Sequence, residues 1–423
     1  MNAVLNSALP VWAIAALAAL GVIARPFRLP EAVWAVLGAL LLCVLGELPW
    51  TQALHAVGKG TDVYLFLAGM MLASELARKE GLFDYMAVLA ARRADGSAVR
   101  LFFLLYCVGV MVTITMSNDA TAVVLTPAVL AVVRTVKARQ PLPYLYACAF
   151  VANAASFVLP ISNPANLVIF GEHMPTLGQW LARFLLPSAL AIIMTYFILR
   201  VLQREALAQQ IEKEAEIPVL SAAGKATGWG IALMAIVMLT ASALGVSLGW
   251  PTFAAGIAVF LGICLQKRQL LWHYLAEISW SVLPLVAGLF VLVEGLARTG
   301  VIESLAHALS ALSAHSVPHA GFASGVSVAL ASNLINNLPA GLIAGNTVAA
   351  AHAPAQVLNA VLVGIDLGPN LSVTGSLATI LWLAALRREG VEVGAFAFLK
   401  LGVATMLPTL LVALAALAFM GAA

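Results

Sequence analysis

The sequence predicts an all-α polytopic membrane protein built as two inverted repeats, and three observations lead there. Only 10% of the 423 residues are charged while 62% are hydrophobic. A soluble chain carries about 25% charged residues, so this mixture cannot cover a surface that faces water. Apolar runs near the ~20 residues that cross a bilayer recur from end to end. One block, FLAGMMLASELARKEGLFDYM (66–86), returns as LVAGLFVLVEGLARTGVIESL (285–305) at a constant offset of 219. That offset pairs Gly69 with Gly288, Glu75 with Glu294, Gly81 with Gly300 and Asp84 with Glu303.

The first repeat, 1–204, opens with spans at 8–24, 31–47 and 62–78 and an amphipathic stretch at 79–98. The N-terminal run lacks a basic leader region and a small-residue cleavage site, so it is expected as a retained span. Apolar arms at 101–116 and 120–136 follow, joined by the polar tip Ser117-Asn118-Asp119. A long run at 142–172 is broken by SNPAN, and a fifth span covers 184–203. The hydrophilic stretch 205–228 reads as a cytoplasmic linker.

The second repeat, 229–423, keeps the same order. Spans lie at 229–248, 251–266 and 281–298, then an amphipathic stretch at 301–316. Arms at 318–331 and 338–351 are joined by SNLINN. A run at 357–386 is broken by GPNLSVTGS, and the last span is 394–420. The arms, about 16 residues each, are short for full spans. The expectation is therefore about ten transmembrane helices, two broken helices and two re-entrant hairpins, around 101–136 and 318–351.

Lys and Arg set the orientation. Arg25 and Arg28, Arg78 and Lys79, Arg92, Arg93 and Arg100, Arg134, Lys137 and Arg139 all fall on one side if the N-terminus is outside. So do Arg200, Arg204, Lys213, Lys225, Lys267, Arg268, Arg387 and Arg388. The first hairpin then opens to the cytoplasm and the second, inverted, to the outside. Inverted repeats with hairpins and broken helices are the form of a secondary transporter.

Other classes find little support. The net charge of +3 is spread through short loops, so no nucleic-acid partner is implied. The cysteines Cys43, Cys107, Cys148 and Cys264 show no CxxC spacing, and the histidines form no HExxH set, so neither a structural metal site nor a cofactor is expected. No Walker A motif occurs, and no catalytic nucleophile–base pair stands out, so the chain does not read as an enzyme.

The polar breaks carry the chemistry. An ionised carboxylate at mid-bilayer costs ~2.5–3.5 kcal/mol on insertion scales. A helix break there frees backbone groups that lipid cannot satisfy. Both are tolerable where protein or a water-filled cavity surrounds the site. The candidate substrate-binding residues are Ser117, Asn118 and Asp119; Ser162, Asn163 and Asn166; Ser332, Asn333, Asn336 and Asn337; and Gly368, Asn370 and Ser376. Asn and Ser offer donors and acceptors, and half-helix N-termini add N–H groups. Asp119 and Asp366 are the candidates for proton exchange, because a carboxyl group withdrawn from water holds its proton more readily. Glu75 and Glu294 are expected in interfacial ion pairs, with Arg78 and Arg298 the nearby bases.

SNDATAVVLTP, LPISNPANLVIFG, SNLINNLPAG and DLGPNLSVTGSLATILW together resemble the arsenical-resistance efflux permeases, the ArsB-type members of the ion-transporter superfamily. The resemblance covers nearly the whole chain in order. It implies export of trivalent arsenite and antimonite from a bacterial cytoplasm across the inner membrane, exchange for protons, and association with a cytoplasmic arsenite-activated ATPase subunit. Arsenic or antimony is then substrate, carried as a small uncharged triol. Thiol capture by Cys107, ten residues before the first tip, is a further option. The SND and SNP tips depart from the SNT of related dicarboxylate carriers, which leaves sodium-coupled dicarboxylate transport and sodium/proton antiport as alternatives.

Overall fold

In a bilayer the backbone of an apolar run satisfies its own hydrogen bonds only as a helix or a closed barrel. Here the runs become helices. The computed structural model describes residues 2–213, 219–267 and 272–422, and among them no strand forms; one isolated bridge pairs Ser97 with Gln210. Arg268 and linker residues 214–218 lie outside the described residues.

The first half contains α1 (Asn2–Ala24), α2 (Glu31–Val44), α3 (Trp50–Lys59), α4 (Thr61–Lys79) and α5 (Leu82–Ala94). It continues with α6 (Ala98–Thr115), α7 (Thr126–Thr135), α8 (Leu142–Ala154), α9 (Pro164–Phe170), α10 (Leu177–Leu202) and the short α11 (Arg204–Leu207). The second half contains α12 (Ala222–Ala243), α13 (Gly249–Lys267), α14 (Trp272–Leu275), α15 (Val282–Ala297) and α16 (Val301–His315). It ends with α17 (Val317–Ile335), α18 (Asn337–Ala350), α19 (Ala355–Leu367), α20 (Leu377–Arg388) and α21 (Ala395–Ala422).

By length and composition α6, α10, α12, α13 and α21 are each able to cross a membrane, and α15 with α16 qualifies only as a pair bent by 73°. The apolar stretches Ala8–Ala24, Glu31–Val44, Ala120–Thr135 and Leu142–Ala154 are shorter. Helix α12 begins at Ala222, inside the stretch expected as linker, where the Ser221 hydroxyl caps it by accepting the Gly224 N–H. Helix α3 forms in a stretch where no element was expected.

The helices sort into two bodies. In one, α4 packs along α13 and α2 along α15, with α1, α3, α12 and α14 around them. In the other, α6 packs on α8, α17 on α19 and α10 on α21, with α7, α9, α18 and α20 between. Helices α5 and α16 connect the two. The turns before them are made by Gly81 and Gly300, whose positive φ of 73° and 80° suits glycine. These residues stand 219 apart, and the paired packing at the same spacing supports the reading of an internal duplication.

The first body is closed by glycine. A Cβ on Gly256 would lie 2.7 Å from the Gly69 carbonyl oxygen, and one on Gly288 would lie 2.9 Å from that of Ala35. Small residues let helix backbones approach, which is how membrane helices gain packing without a hydrophobic drive.

Ion pairs gather the basic loops at one end. Lys79 meets Glu277 at 2.8 Å, with Arg78 bonded to the same carboxylate. Lys267 meets Glu80 at 2.7 Å, Lys213 Asp95 at 3.1 Å, Lys137 Glu212 at 2.7 Å and Arg134 Glu389 at 2.9 Å. Hydrogen bonds from Lys79 and Arg78 hold the Glu277 carboxyl below its usual range. The exposed pairs, those of Lys213, Lys137 and Arg134, contribute little stability; together the pairs show which loops share an end. Glu75 does pair with Arg78, at 2.6 Å. Glu294 instead meets Lys59 at 2.9 Å, while Arg298 donates to Gln52.

Replacing Gly256 or Gly288 by Leu is expected to cost about 1–3 kcal/mol through overpacking. The detergent-purified variants should melt earlier than the parent, while Gly262→Leu, with nothing within 4 Å of its added Cβ, should not.

Candidate functional site

Four helix beginnings meet at one cavity. Each is started by a polar side chain that accepts a backbone N–H of the following turn. The Ser117 hydroxyl accepts from Ala120 N at 3.2 Å, Asn163 Oδ1 from Ala165 N at 3.0 Å, Asn336 Oδ1 from Leu338 N at 3.4 Å and the Ser376 hydroxyl from Thr379 N at 3.1 Å. These are N-caps, which leave other first-turn N–H groups pointing past the helix end with partial positive charge.

The cavity is lined by Asn118 and Asp119, Asn163 and Pro164, Asn337 and Leu338, and Ser376, Leu377 and Ala378. Leu67 of α4 and Val282 of α15 close it from the other body. Its free volume is about 10 Å³, room for one water. Leu67, Asp119, Pro164 and Val282 also border a wider vestibule of about 90 Å³, which runs past Ser117 and Val123 to Ser279 and Glu75. That places the vestibule's far end beside the Arg78–Glu277 pair, at the end of the molecule where the basic loops gather.

Two lining side chains are unspent. The Oδ1 atoms of Asn118 and Asn337 are buried without a hydrogen-bond partner among the described residues. They stand 219 residues apart, the same offset that relates the block 66–86 to 285–305. Asp119 is partly exposed between cavity and vestibule, and no described residue donates a hydrogen bond or ion pair to it. Among the described residues no Lys, Arg or His lines either space. Past Asp119 the chain winds as a π-helix over Ala120–Leu125, where Pro127 withholds the N–H that an α-helix would give to Val123. A Thr113–Thr121 bond of 2.8 Å ties this segment back to α6.

The remaining sequence-chosen residues stand one layer behind. Asp366 is fully buried; its Oδ1 accepts from Asn163 Nδ2 at 2.6 Å and its Oδ2 has no hydrogen-bond partner among the described residues. Asn166 Nδ2 donates to the Ser156 carbonyl at 3.1 Å, and the Ser162 hydroxyl donates to the Ile114 carbonyl at 3.2 Å. The second hairpin turns at Asn336, with φ 73° and ψ 154°, so Ser332 and Asn333 remain in the last turn of α17. Ser332 donates to the Ala329 carbonyl. Asn333 Nδ2 donates to the Ala329 and Gly368 carbonyls at 2.8 and 2.9 Å, and its Oδ1 accepts from Ser372 at 2.7 Å. Gly368 lets the 368–371 turn lie on Ala329. Asn370 accepts from Asn153 Nδ2 and donates to the Phe150 carbonyl, both at 3.0 Å.

Sequence reasoning missed Asn153, Ser156 and Thr379, which brace the two broken helices, and Leu67 and Val282. An Asn inside the apolar run of α8 was the available signal for the first. Cys107 is exposed on α6 and lines neither the cavity nor the vestibule.

A family model described as citrate transporter, CitMHS, matches residues 15–367. An arsenical pump membrane protein of Escherichia coli is 26% identical over 407 residues, covering 91% of this chain and 92% of that protein. A putative arsenical pump membrane protein of Bacillus subtilis is 25% identical over 430 residues, covering 93% and 96%. The crystal structure of the Alcanivorax borkumensis YdaH transporter superposes with a TM-score of 0.57 at 18% identity, covering 92% of this chain and 97% of that one, so the two share a fold.

The spent and unspent side chains separate by experiment. Asn118→Ala and Asn337→Ala should each lower transport by about tenfold, the effect of ~1.4 kcal/mol of lost binding, with little change in thermal stability. Asn333→Ala and Asn370→Ala strand buried partners and should lower the melting temperature of the purified protein.

Proposed function

The chain belongs to the citrate transporter family, CitMHS, and from that premise we propose that it exports arsenite and antimonite, as As(OH)3 and Sb(OH)3, across a bacterial inner membrane in exchange for protons. That it is a multi-pass membrane transporter, and not an enzyme, follows from its apolar helices and its similarity to other membrane transporters.

One observation carries the substrate reading: the convergence of Asn118, Asp119, Asn163, Asn337 and Ser376 on a water-sized space that no cationic side chain lines. A solute of a few heavy atoms with hydroxyl groups matches the free Oδ1 acceptors of Asn118 and Asn337 and the N–H groups of the capped helices. A tricarboxylate needs more room and, ordinarily, a guanidinium or ammonium partner. The similarity to arsenical pump membrane proteins over nine-tenths of the chain supports the same reading.

Asp119 suits the proton. It lies where cavity meets vestibule without an ionic partner, so an ionised carboxylate there is uncompensated unless it carries a proton or faces the substrate. Asp366 acts through Asn163, whose amide it orients. The vestibule faces the end rich in Lys and Arg, the cytoplasmic end by the positive-inside rule, which suits a substrate loaded from the cytoplasm. The internal duplication, with repeats at 1–204 and 229–423, gives the site two related routes of access.

A second reading, transport of a small carboxylate, is favoured by the four helix N-termini, whose partial charges suit an anion.

Everted membrane vesicles distinguish the two. Arsenite should accumulate with a proton gradient and without ATP, and collapse of the gradient by an uncoupler should abolish it. Asp119→Asn should remove the gradient dependence at unchanged protein level. Sodium-dependent movement of succinate or citrate, with arsenite left outside, would sink the arsenite reading.

A further inference from the structure

The second hairpin carries an apolar cavity. It measures about 370 Å³ and lies between α16, the arms α17 and α18, and Val361 of α19. Protein interiors hold few voids larger than a water molecule, so one of this size needs a cause.

The offset of 219 supplies it. Four lining positions are smaller than their first-half counterparts: Ser324 stands where Leu105 does, Ala331 for Val112, Ala340 for Thr121 and Ala344 for Leu125. Those counterparts are buried and fill the corresponding space beneath α5, whose Ala87, Ala90, Ala91 and Ala94 pack down on the first hairpin. Four exchanges run the other way, Val328 against Gly109, Leu309 against Ala90, Ile343 against Val124 and Thr347 against Ala128, and do not close the gap. On its far side α17 has Gly321 and Gly325 where α6 has Phe102 and Tyr106. A Cβ on Gly325 would lie 2.9 Å from the Ala360 carbonyl oxygen, so α17 sits close on α19 and correspondingly away from α16.

The cavity opens sideways. Leu305 and Leu312 at its rim are 43% and 37% exposed, and the outer face of α17 continues the apolar surface with Phe322, Leu330 and Leu334. That surface is the one a membrane protein turns to hydrocarbon. An apolar space continuous with it does not hold water.

We infer that the cavity between α16 and the second hairpin is a binding site for a phospholipid acyl chain. The inference is independent of which substrate the protein carries. The bound chain fills the space that larger side chains occupy in the first half, and supports the hairpin whose tip presents Asn337 to the substrate cavity.

The test uses the full-length protein in vesicles of phosphatidylethanolamine and phosphatidylglycerol containing a trace of phospholipid with a diazirine in its acyl chain. After illumination, labelled peptides are mapped by mass spectrometry. Label is expected to concentrate on 301–348 over 82–135 by at least fivefold. Ala344→Leu and Ser324→Leu, which restore the first-half residues, should lower it at least fivefold with no loss of thermal stability. Equal labelling of the two segments overturns the inference in the parent protein alone, so it does not depend on the variants folding. Undiminished labelling of a folded Ala344→Leu or Ser324→Leu protein overturns it as well. So does a variant that loses transport while keeping its lipid, since the space would then serve hairpin movement.

Discussion

A peptide group that leaves a helix within a membrane must find its partner in protein or trapped water, because hydrocarbon offers none. Everything polar at the centre of this protein follows from that. Breaks near 117, 163, 336 and 372 free N–H and C=O groups, and a shell of Asn, Ser and Thr collects them. Asn333 alone joins Ala329, Gly368 and Ser372, and Thr374 donates to its carbonyl. The Asn337 N–H bonds to the Gly375 carbonyl at 3.0 Å, so the tip of the second hairpin is fixed by the last break and neither is shaped alone. Asparagine recurs because one side chain supplies both a donor and an acceptor.

The same requirement sorts the site. Polar atoms that satisfy backbone have little left for a ligand, and polar atoms that do not are costly unless a ligand or proton meets them. By that measure Asn118, Asn337 and Asp119 differ from Asn333 and Asn370, although all look alike as polar residues in apolar runs. Asn166 and Asp366 are intermediate: the Asn166 amide donates to the Ser156 carbonyl and one Asp366 oxygen accepts from Asn163, while Asn166 Oδ1 and Asp366 Oδ2 have no partner among the described residues.

Much of this was legible in the sequence, for a physical reason. Helices in lipid are specified by local apolar runs, so helices form where those runs were read, although α6, expected as a short hairpin arm, is itself long and apolar enough to cross a membrane. The polar tips were equally visible, since Ser117-Asn118-Asp119 has no reason to interrupt hydrophobic sequence except function or a break. What escaped were pairings across the chain. Asn153 meets Asn370 over 217 residues, and Glu294 meets Lys59 over 235, where sequence proximity had pointed to Arg298. At the second tip Ser332, Asn333, Asn336 and Asn337 all stood out as polar residues; the turn itself falls at Asn336, whose short polar side chain tolerates positive φ. Adding 219 to Asn118 gives Asn337.

The site is closed on its other side by very little. A separate cavity of about 70 Å³, lined by Asp62, Leu167, Gly171 and Leu248 among others, lies toward the end of α4 away from the basic loops. Along α4 it is separated from the substrate cavity by the step from Leu67 to Asp62, ~7.5 Å of axis, and along α9 by the step from Pro164 to Leu167, ~4.5 Å. Within that turn the barrier consists of Val63, Leu67 and Leu167, all buried and apolar. Helix α4 belongs to one body and α9 to the other. A seal made of side chains from two bodies lasts only while they stay in register.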